Sequence, residues 1–398
     1  MNKQEFIGRL SERLSLLKPE DKKNAIEFYE EYFNDAGEEA EGSIIEELGT
    51  PEKLAEEILS FYKNSYSGDN KSIVKQVEEN SISSFVFEVY SSNIYVEDSP
   101  SGIFEYRLEN ISEDEVKTNI ENGTFYLSEN VSEFFTREGF GNFFKNFSRN
   151  FFNDESVKRK IWVYIPQEMK TEYAEFNSRL GSIKISDVRM RKIKVSLTCG
   201  SLHINDCESK ELNLSTAAGS IKITDIKSEK INLYSASGAI KLNDVEVNEV
   251  KSSTGAGNIS ISDISTEFLQ ASSGAGNIVC TDMEADKCNI NTGAGNCKIT
   301  DSDLNISKIT TGAGNIKIQG SLGSKSDITS SIGSVTLNLD GSLEDYDLLL
   351  NAKHSNIKIN GRTMDEHKRK DHSDNPNAKN KISVSVQFGS INIKTEDR

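Results

Sequence analysis

The stretch TGAGNISISDISTEFLQAS (Thr254–Ser272) runs directly into SGAGNIVCTDMEADKCNIN (Ser273–Asn291) and then into TGAGNCKITDSDLNISKIT (Thr292–Thr310). Each line has 19 residues, and the three superpose without a gap. Working outward, the second glycine of each line belongs to a series at Gly181, Gly200, Gly219, Gly238, Gly257, Gly276, Gly295, Gly314 and Gly333. An interval held over so many units marks a repeat architecture. Each unit carries two apolar pairs. One is Ile183/Ile185, Leu202/Ile204, Ile221/Ile223; the other is Ile193/Val195, Leu212/Leu214, Ile231/Leu233. Alternation with period 2 means strands with one buried face. Two short strands and two turns fill a unit, and the constant spacing argues against a sandwich, whose loops vary. The expected fold is mainly β, a single-chain β-solenoid of 19-residue coils in which like residues stack about 4.8 Å apart. The phase persists more loosely at Ser92 (SNIYVED), Ser355 (SNIKI) and Gly389 (GSINI). That suggests eleven or twelve coils in a rod ~50 Å long. With about four inward apolar residues per coil, each coil needs its neighbours.

Stacked positions read as columns. Asn258, Asn277, Asn296 and Asn315 follow the glycine in consecutive coils. Their side chains are expected to hydrogen-bond to one another up the axis. Gly255, Gly274, Gly293 and Gly312 each precede Ala in a turn expected to need positive φ. A phosphate-binding loop is excluded, because GAGN recurs at every coil with no helix after it. An acidic column, Asp187, Asp206, Asp225, Asp244, Asp263, Asp282 and Asp301, lies six residues after the glycines, and Asp98 holds the same phase. Two readings of it stay open. The carboxylates cap strand ends as Asx-turns, or they form a row of Ca²⁺ sites. The known calcium repeat has a nine-residue period and more oxygen ligands per turn.

Residues 99–160 interrupt the period. Eight of the 19 phenylalanines fall in residues 134–152. On a helical wheel Phe140, Phe143, Phe144, Phe147 and Phe151 share one face, with Lys145 and Arg149 roughly opposite. Three readings stay open: a plug over the solenoid's first coil, a helix lying on a membrane surface, or a dimer or partner contact. The segment IWVYI (Ile161–Ile165) returns the chain to the solenoid. Residues 361–380 form a second, charged interruption.

Residues 1–62 differ from the rest. They hold 16 acidic and 7 basic residues, a net −9 out of −17 for the whole chain of 398. Phe6, Leu10, Leu14, Leu17, Ile26, Tyr29 and Phe33 recur at helical spacing. Asn2 with Glu5 suggests a capping box. Pro19 and Pro51 can open helices, with Thr50 as an N-cap and Gly49 as a stop. A small α-helical bundle is expected, closed by Leu54, Ile58 and Phe61. Residues 63–80 are polar and aperiodic and read as a linker, placing the solenoid at 81–398. The low hydrophobic content, 35%, suits a solenoid, which buries only a few residues per coil.

The runs EFYEEYFNDAGEE (Glu27–Glu39) and IIEELGTPEKLAEEIL (Ile44–Leu59) resemble the HAAS domain, a helical signalling domain of Firmicutes. The resemblance implies work inside the cell with a PadR-like transcription regulator as partner. The coils of form S/TGAGNIxIxD resemble the bacterial "putative adhesin" domain of unknown function, a β-solenoid, over roughly residues 81–398. The two domains in one chain are a familiar Firmicutes pairing.

No stretch approaches the ~18 apolar residues of a membrane-spanning helix. The N-terminus carries Glu5 and Arg9 where a signal peptide would be apolar, so a cytoplasmic setting is expected, with peripheral membrane contact left open through the Phe-rich segment. An acidic chain is a poor direct partner for nucleic acid. Five cysteines make no disulfide framework; most sit at core phases. His203 takes an outward phase held by Lys in other coils, and His367 and His372 lie in the charged loop 361–380. No set of convergent catalytic groups, cofactor motif or metal-ligand spacing is present. The expected function is a non-enzymatic signalling or scaffold protein: the head docks a regulator and the solenoid is a binding surface. The alternative is a cell-surface adhesive or structural module.

Overall fold

The computed structural model describes residues 2–16, part of 22–48, 49–66, 72–77, 82–129, 158–353, 356–364 and 375–396 apart from 376. A β-solenoid of about nine 19-residue turns dominates it. Each regular coil is one continuous run of pairing, such as Leu202–Ala218, Ile221–Ser237 and Ile240–Ala256. Two strands with a turn between them were expected; pairing instead continues around the bend. All these runs pair in parallel, so Leu202, Ile221, Ile240, Ile259, Ile278, Cys297 and Ile316 stack in a single column.

The core has three inward sides rather than two. Beside Ile221/Ile223 and Ile231/Leu233, a third pair faces in: Ile226 with Ser228, Val245 with Val247, Met283 with Ala285. Its mixture of Ser, Thr, Val and Ala hides it from a search for apolar alternation. A further column is polar and buried. Ser235, Thr254, Ser273, Thr292, Thr311 and Ser330 are at most 3% exposed. Each donates its hydroxyl to a glycine carbonyl 16 residues earlier, from Gly219 to Gly314, at 2.8–3.1 Å. A buried acceptor is thereby satisfied inside the coil.

The two ends are not simple continuations of the stack. At the front, Ser84–Val89 and Asn93–Asp98 form a coil flanked on one side by Tyr173–Ser178 and Ile183–Arg189. On its other side lie Thr124–Glu129 and Lys160–Ile165, which come later in sequence. Antiparallel strands Glu105–Glu109 and Val116–Glu121 then cover that last coil. The far end repeats the device. Asn380–Phe388 lies between Ile316–Ile332 and Tyr346–Ala352, and Ile391–Glu396 lies between Val335–Asp340 and Ile357–Ile359. The spatial successor of Gly333 is therefore Gly389, not the Ser355 phase. The periodic part is shorter than eleven or twelve coils because the terminal layers are assembled out of sequence order.

The helical head has its own core of Phe6, Ile7, Leu10, Leu14, Ala25, Tyr29, Phe33, Leu54 and Ala55. Helix Lys3–Arg13 is capped by Asn2, whose side chain accepts from the Glu5 N–H at 2.9 Å, while the Glu5 carboxylate turns to Arg9 at 2.8 Å. Gly49 takes φ +76°. Helix Pro51–Tyr66 follows, with Thr50 Oγ1 accepting from the Lys53 N–H. The helix thus runs past residue 62. Part of the expected linker 63–80 is also structured: Ser72–Gln76 pairs antiparallel with Glu105–Glu109, and Lys75 bridges to Glu113 at 2.6 Å. Four of its five residues are exposed, so it has no apolar alternation to read.

Candidate functional site

The columns expected from sequence are assembled by the fold, and their chemistry is now specific. Asp187, Asp206, Asp225, Asp244, Asp263, Asp282 and Asp301 all hold left-handed backbone conformations, φ +50° to +57°. Asp and Asn tolerate this region better than other residues with a Cβ. The column ends at Asp301: the register shifts there, and Gly320 stacks on Ser302 instead. The column therefore marks the bend of each coil. Asp98 does accept a backbone N–H, from Gln167 at 3.1 Å, and Asp187 accepts from the Gln167 side chain. Among the described residues no group of three His, Cys, Asp or Glu is placed to hold a metal ion.

The Asn column bonds differently from the expected side-chain ladder. The Oδ1 of Asn258, Asn277, Asn296 and Asn315 accepts mainly from the backbone N–H of the next coil, at 2.8–2.9 Å. One side-chain rung, Asn296 to Asn277 at 3.3 Å, accompanies it. Gly255, Gly274, Gly293 and Gly312 do not take positive φ; a Cβ there would lie 2.5–2.6 Å from the carbonyl oxygen of the preceding coil. Close approach, not a left-handed turn, selects them.

His203 stacks between Lys184 and Lys222. Partial burial and then those two ammonium groups push its pKa down, and its shielded Nε2 has no partner. Cys207, Cys280, Cys288 and Cys297 are buried, and Cys199 is exposed. Phe140, Phe143, Phe144, Phe147 and Phe151, with His354, His367 and His372, lie outside the described residues.

The outer charges form a pattern that sequence inspection missed. Arg189, Glu208, Lys227, Glu246, Ser265, Glu284 and Asp303 form one column. The first four alternate in sign, with Arg189–Glu208 at 3.5 Å and Lys227–Glu246 at 3.0 Å. Neighbouring columns add Glu172–Arg191, Glu175–Lys194, Lys192–Glu211, Lys210–Glu229 and Lys230–Glu249, each pairing residues one coil apart. Beyond Glu249 no ion pair joins residues one coil apart among the described residues; Lys325–Asp327, at 3.6 Å, lies within a single coil. Reading the sequence in columns of 19 would have revealed the switch.

A groove of about 1000 Å³ opens over this uncompensated part. Coils contribute Glu246, Glu267, Glu284, Asp286 and Asp303 to its wall; Asp340, Glu344 and Asp345 close the far side. Against these eight carboxylates the described lining residues hold a single cation, Lys379. Low-dielectric walls around charges of one sign focus a field that attracts the opposite sign. The arrangement suits a basic ligand.

The family model described as Toastrack DUF4097 matches residues 59–255 and 231–394. A second model, HAAS, matches residues 5–57. No curated protein matches. Among solved structures, a candidate cell adhesion protein of Clostridium sporogenes is 13% identical, with 82% of this chain and 100% of that chain covered and a TM-score of 0.20. A candidate lipid-binding protein of Parabacteroides distasonis is 14% identical over 83% and 98%, TM-score 0.33. A candidate adhesin of Bacteroides fragilis is 13% identical over 82% and 97%, TM-score 0.28.

Proposed function

Since this chain belongs to the Toastrack DUF4097 family and carries a HAAS domain at its head, we propose a binding and scaffolding role for it rather than a catalytic one. In this reading the helical head docks a PadR-like transcription regulator inside the cell. The solenoid then holds a basic segment of the same regulator or of a second protein. The observation that carries it is the outer charge column: alternating through Glu246, then acidic through Glu284 and Asp303 where the groove opens. Unpaired like charges one coil apart repel, so a cationic partner in the groove is stabilised by relieving that repulsion. The head's −9 acts in the same direction on a basic regulator surface.

The test is co-purification of the full chain with the PadR-like regulator of the same organism at ~50 and ~300 mM salt. Association that weakens with salt is expected, because exposed charges are screened within about 8–10 Å. No association at low salt overturns the regulator reading. Replacing Glu284 and Asp303 together by Gln and Asn is expected to weaken binding of a polylysine peptide while slightly raising the unfolding temperature, because their mutual repulsion is removed; unchanged peptide binding overturns the groove's role.

A further inference from the structure

A second recess lies on a different side of the solenoid, and its chemistry is neutral. It measures about 260 Å³ and is walled by Tyr234, Asn232, Ser253, Gln270 and two lysines, Lys194 and Lys251. Tyr234 breaks its own column. The residues stacked with it are Ser196, Ser215, Ser253, Ser272, Asn291, Thr310 and Thr329. The single aromatic ring is 52% exposed.

Hydrogen bonding around the ring is incomplete. The Tyr234 hydroxyl, the Ser253 hydroxyl and the Gln270 amide make no hydrogen bond to another described residue. Asn232 spends its amide N–H on Asn213 Oδ1 at 2.8 Å, which points its own Oδ1 the other way. Both lysines are already engaged, Lys194 by Glu175 at 2.9 Å and Lys251 by Glu249. The recess therefore offers one aromatic face, several unused neutral donors and acceptors, and no free charge.

We propose that this recess is a carbohydrate subsite that takes one pyranose unit. A pyranose has a face of C–H groups, which packs on an aromatic ring, and a rim of hydroxyls, which needs neutral donors and acceptors at its edge. The volume falls below the ~300–1,000 Å³ of drug-sized pockets and suits a single sugar ring. An anionic ligand would have to displace Glu175 or Glu249 from the lysines. This site is separate from the acidic groove and its test is separate from the regulator test.

The probes are methyl glucoside, methyl galactoside, methyl mannoside and methyl N-acetylglucosaminide, each at millimolar concentration with the full chain, read by saturation-transfer NMR. At least one is expected to receive saturation on its ring C–H protons. Tyr234→Ala is expected to abolish the transfer, and Gln270→Ala to weaken affinity at least threefold. Both side chains face outward, so unfolding temperatures should stay at the wild-type value. Repeating the titration with the matching tetrasaccharide distinguishes sources: tighter binding assigns the site to a glycan chain, equal binding to a single unit. Absence of transfer to all four probes, or transfer untouched by Tyr234→Ala, overturns the proposal.

Discussion

Glu129 and Arg159, both with side chains fully excluded from solvent, pair at 3.2 Å across the base of the Phe-rich segment between them. Their positions explain why. Continuing the register places Glu129 on Val89, in line with Ser178, Leu197 and Thr216, the column that becomes the buried hydroxyls further along. Arg159 falls in line with Ser92 and the glycine column. In the last coil, no further coil stacks on those positions, and an ion pair stands over Val89 and Ser92. Glu129 also accepts from the backbone N–H groups of Tyr90 and Ser91, at 2.6 and 2.8 Å, and from the Ser92 hydroxyl. Arg159 reaches Glu115 at 2.8 Å.

A buried pair loses most when one partner remains alone. Arg159→Leu leaves the Glu129 carboxylate buried without its cation, and is expected to cost about 3–5 kcal/mol. The double variant Glu129→Leu/Arg159→Leu should recover part of that loss, because neither charge is then stranded. A urea denaturation cycle measures the coupling. With Glu129→Leu alone closing the cycle, a double-variant loss equal to the sum of the two single losses would show that the pair is not energetically linked.

The glycine period has a steric origin. A Cβ on Gly257 would lie 2.1 Å from the Gly238 carbonyl oxygen, and the same contact recurs at 2.0 Å for Gly276. These are backbone atoms and cannot swing away. Gly257→Ala is thus expected to destabilise by at least the ~1–3 kcal/mol typical of overpacking. Gly361→Ala gives a contrasting control: nothing lies within 4 Å, and only its positive φ of +81° opposes the change, at about 1–2 kcal/mol. Thermal melts of both variants rank them; a smaller shift for Gly257→Ala would refute the close-approach account.

That steric demand is also why the fold could be read from Thr254–Thr310. Columns of identical residues are forced by contacts exactly one coil apart. The same logic fails where contacts are not one coil apart. The Gly181 Cβ position meets the Ser92 carbonyl, and Gly389 meets Gly333, at separations set by intervening strands rather than by the repeat. The interleaved ends were therefore invisible. Ile226/Ser228 and Thr292 escaped because buried small and hydroxyl residues carry no hydrophobic signal. Arg159 escaped because Arg is almost never buried unless paired. The Tyr234 recess needed the columns first, since only stacking shows that Tyr234 stands alone among Ser, Thr and Asn.

The acidic column separates two explanations at Asp263, whose φ is +53°. If the bend alone selects Asp, Asp263→Asn and Asp263→Gly should leave the unfolding temperature nearly unchanged, because Asn and Gly both enter the left-handed region readily. Asp263→Ala should cost about 1–2 kcal/mol, the strain of a left-handed residue with a Cβ. A row of cation sites would behave differently: Asp263→Asn would be as harmful as Asp263→Ala, and a chelator would lower the melting temperature of the unmodified chain. Differential scanning fluorimetry with and without EDTA reads both.

The buried thiols give the fold an alkaline limit. Burial pushes the Cys280 thiol from 9.0 up to about 12, and burial is also the largest cause of the rise to about 12 at Cys207. Between those values the folded state keeps protons that the unfolded state releases. Stability from each thiol is then fully present below pH 9 and declines as pH rises toward 12, by up to ~1.4 kcal/mol per pH unit. Cys280→Val should flatten the decline measured by urea midpoints between pH 9 and 11, relative to the unmodified chain. The same burial governs reactivity, since the thiolate is the nucleophile. At pH 8 a thiol reagent should label Cys199 quickly and the four buried cysteines only on unfolding. Rapid labelling of Cys280, Cys288 or Cys297 in the native protein would mean that the coils open locally far more often than their packing implies.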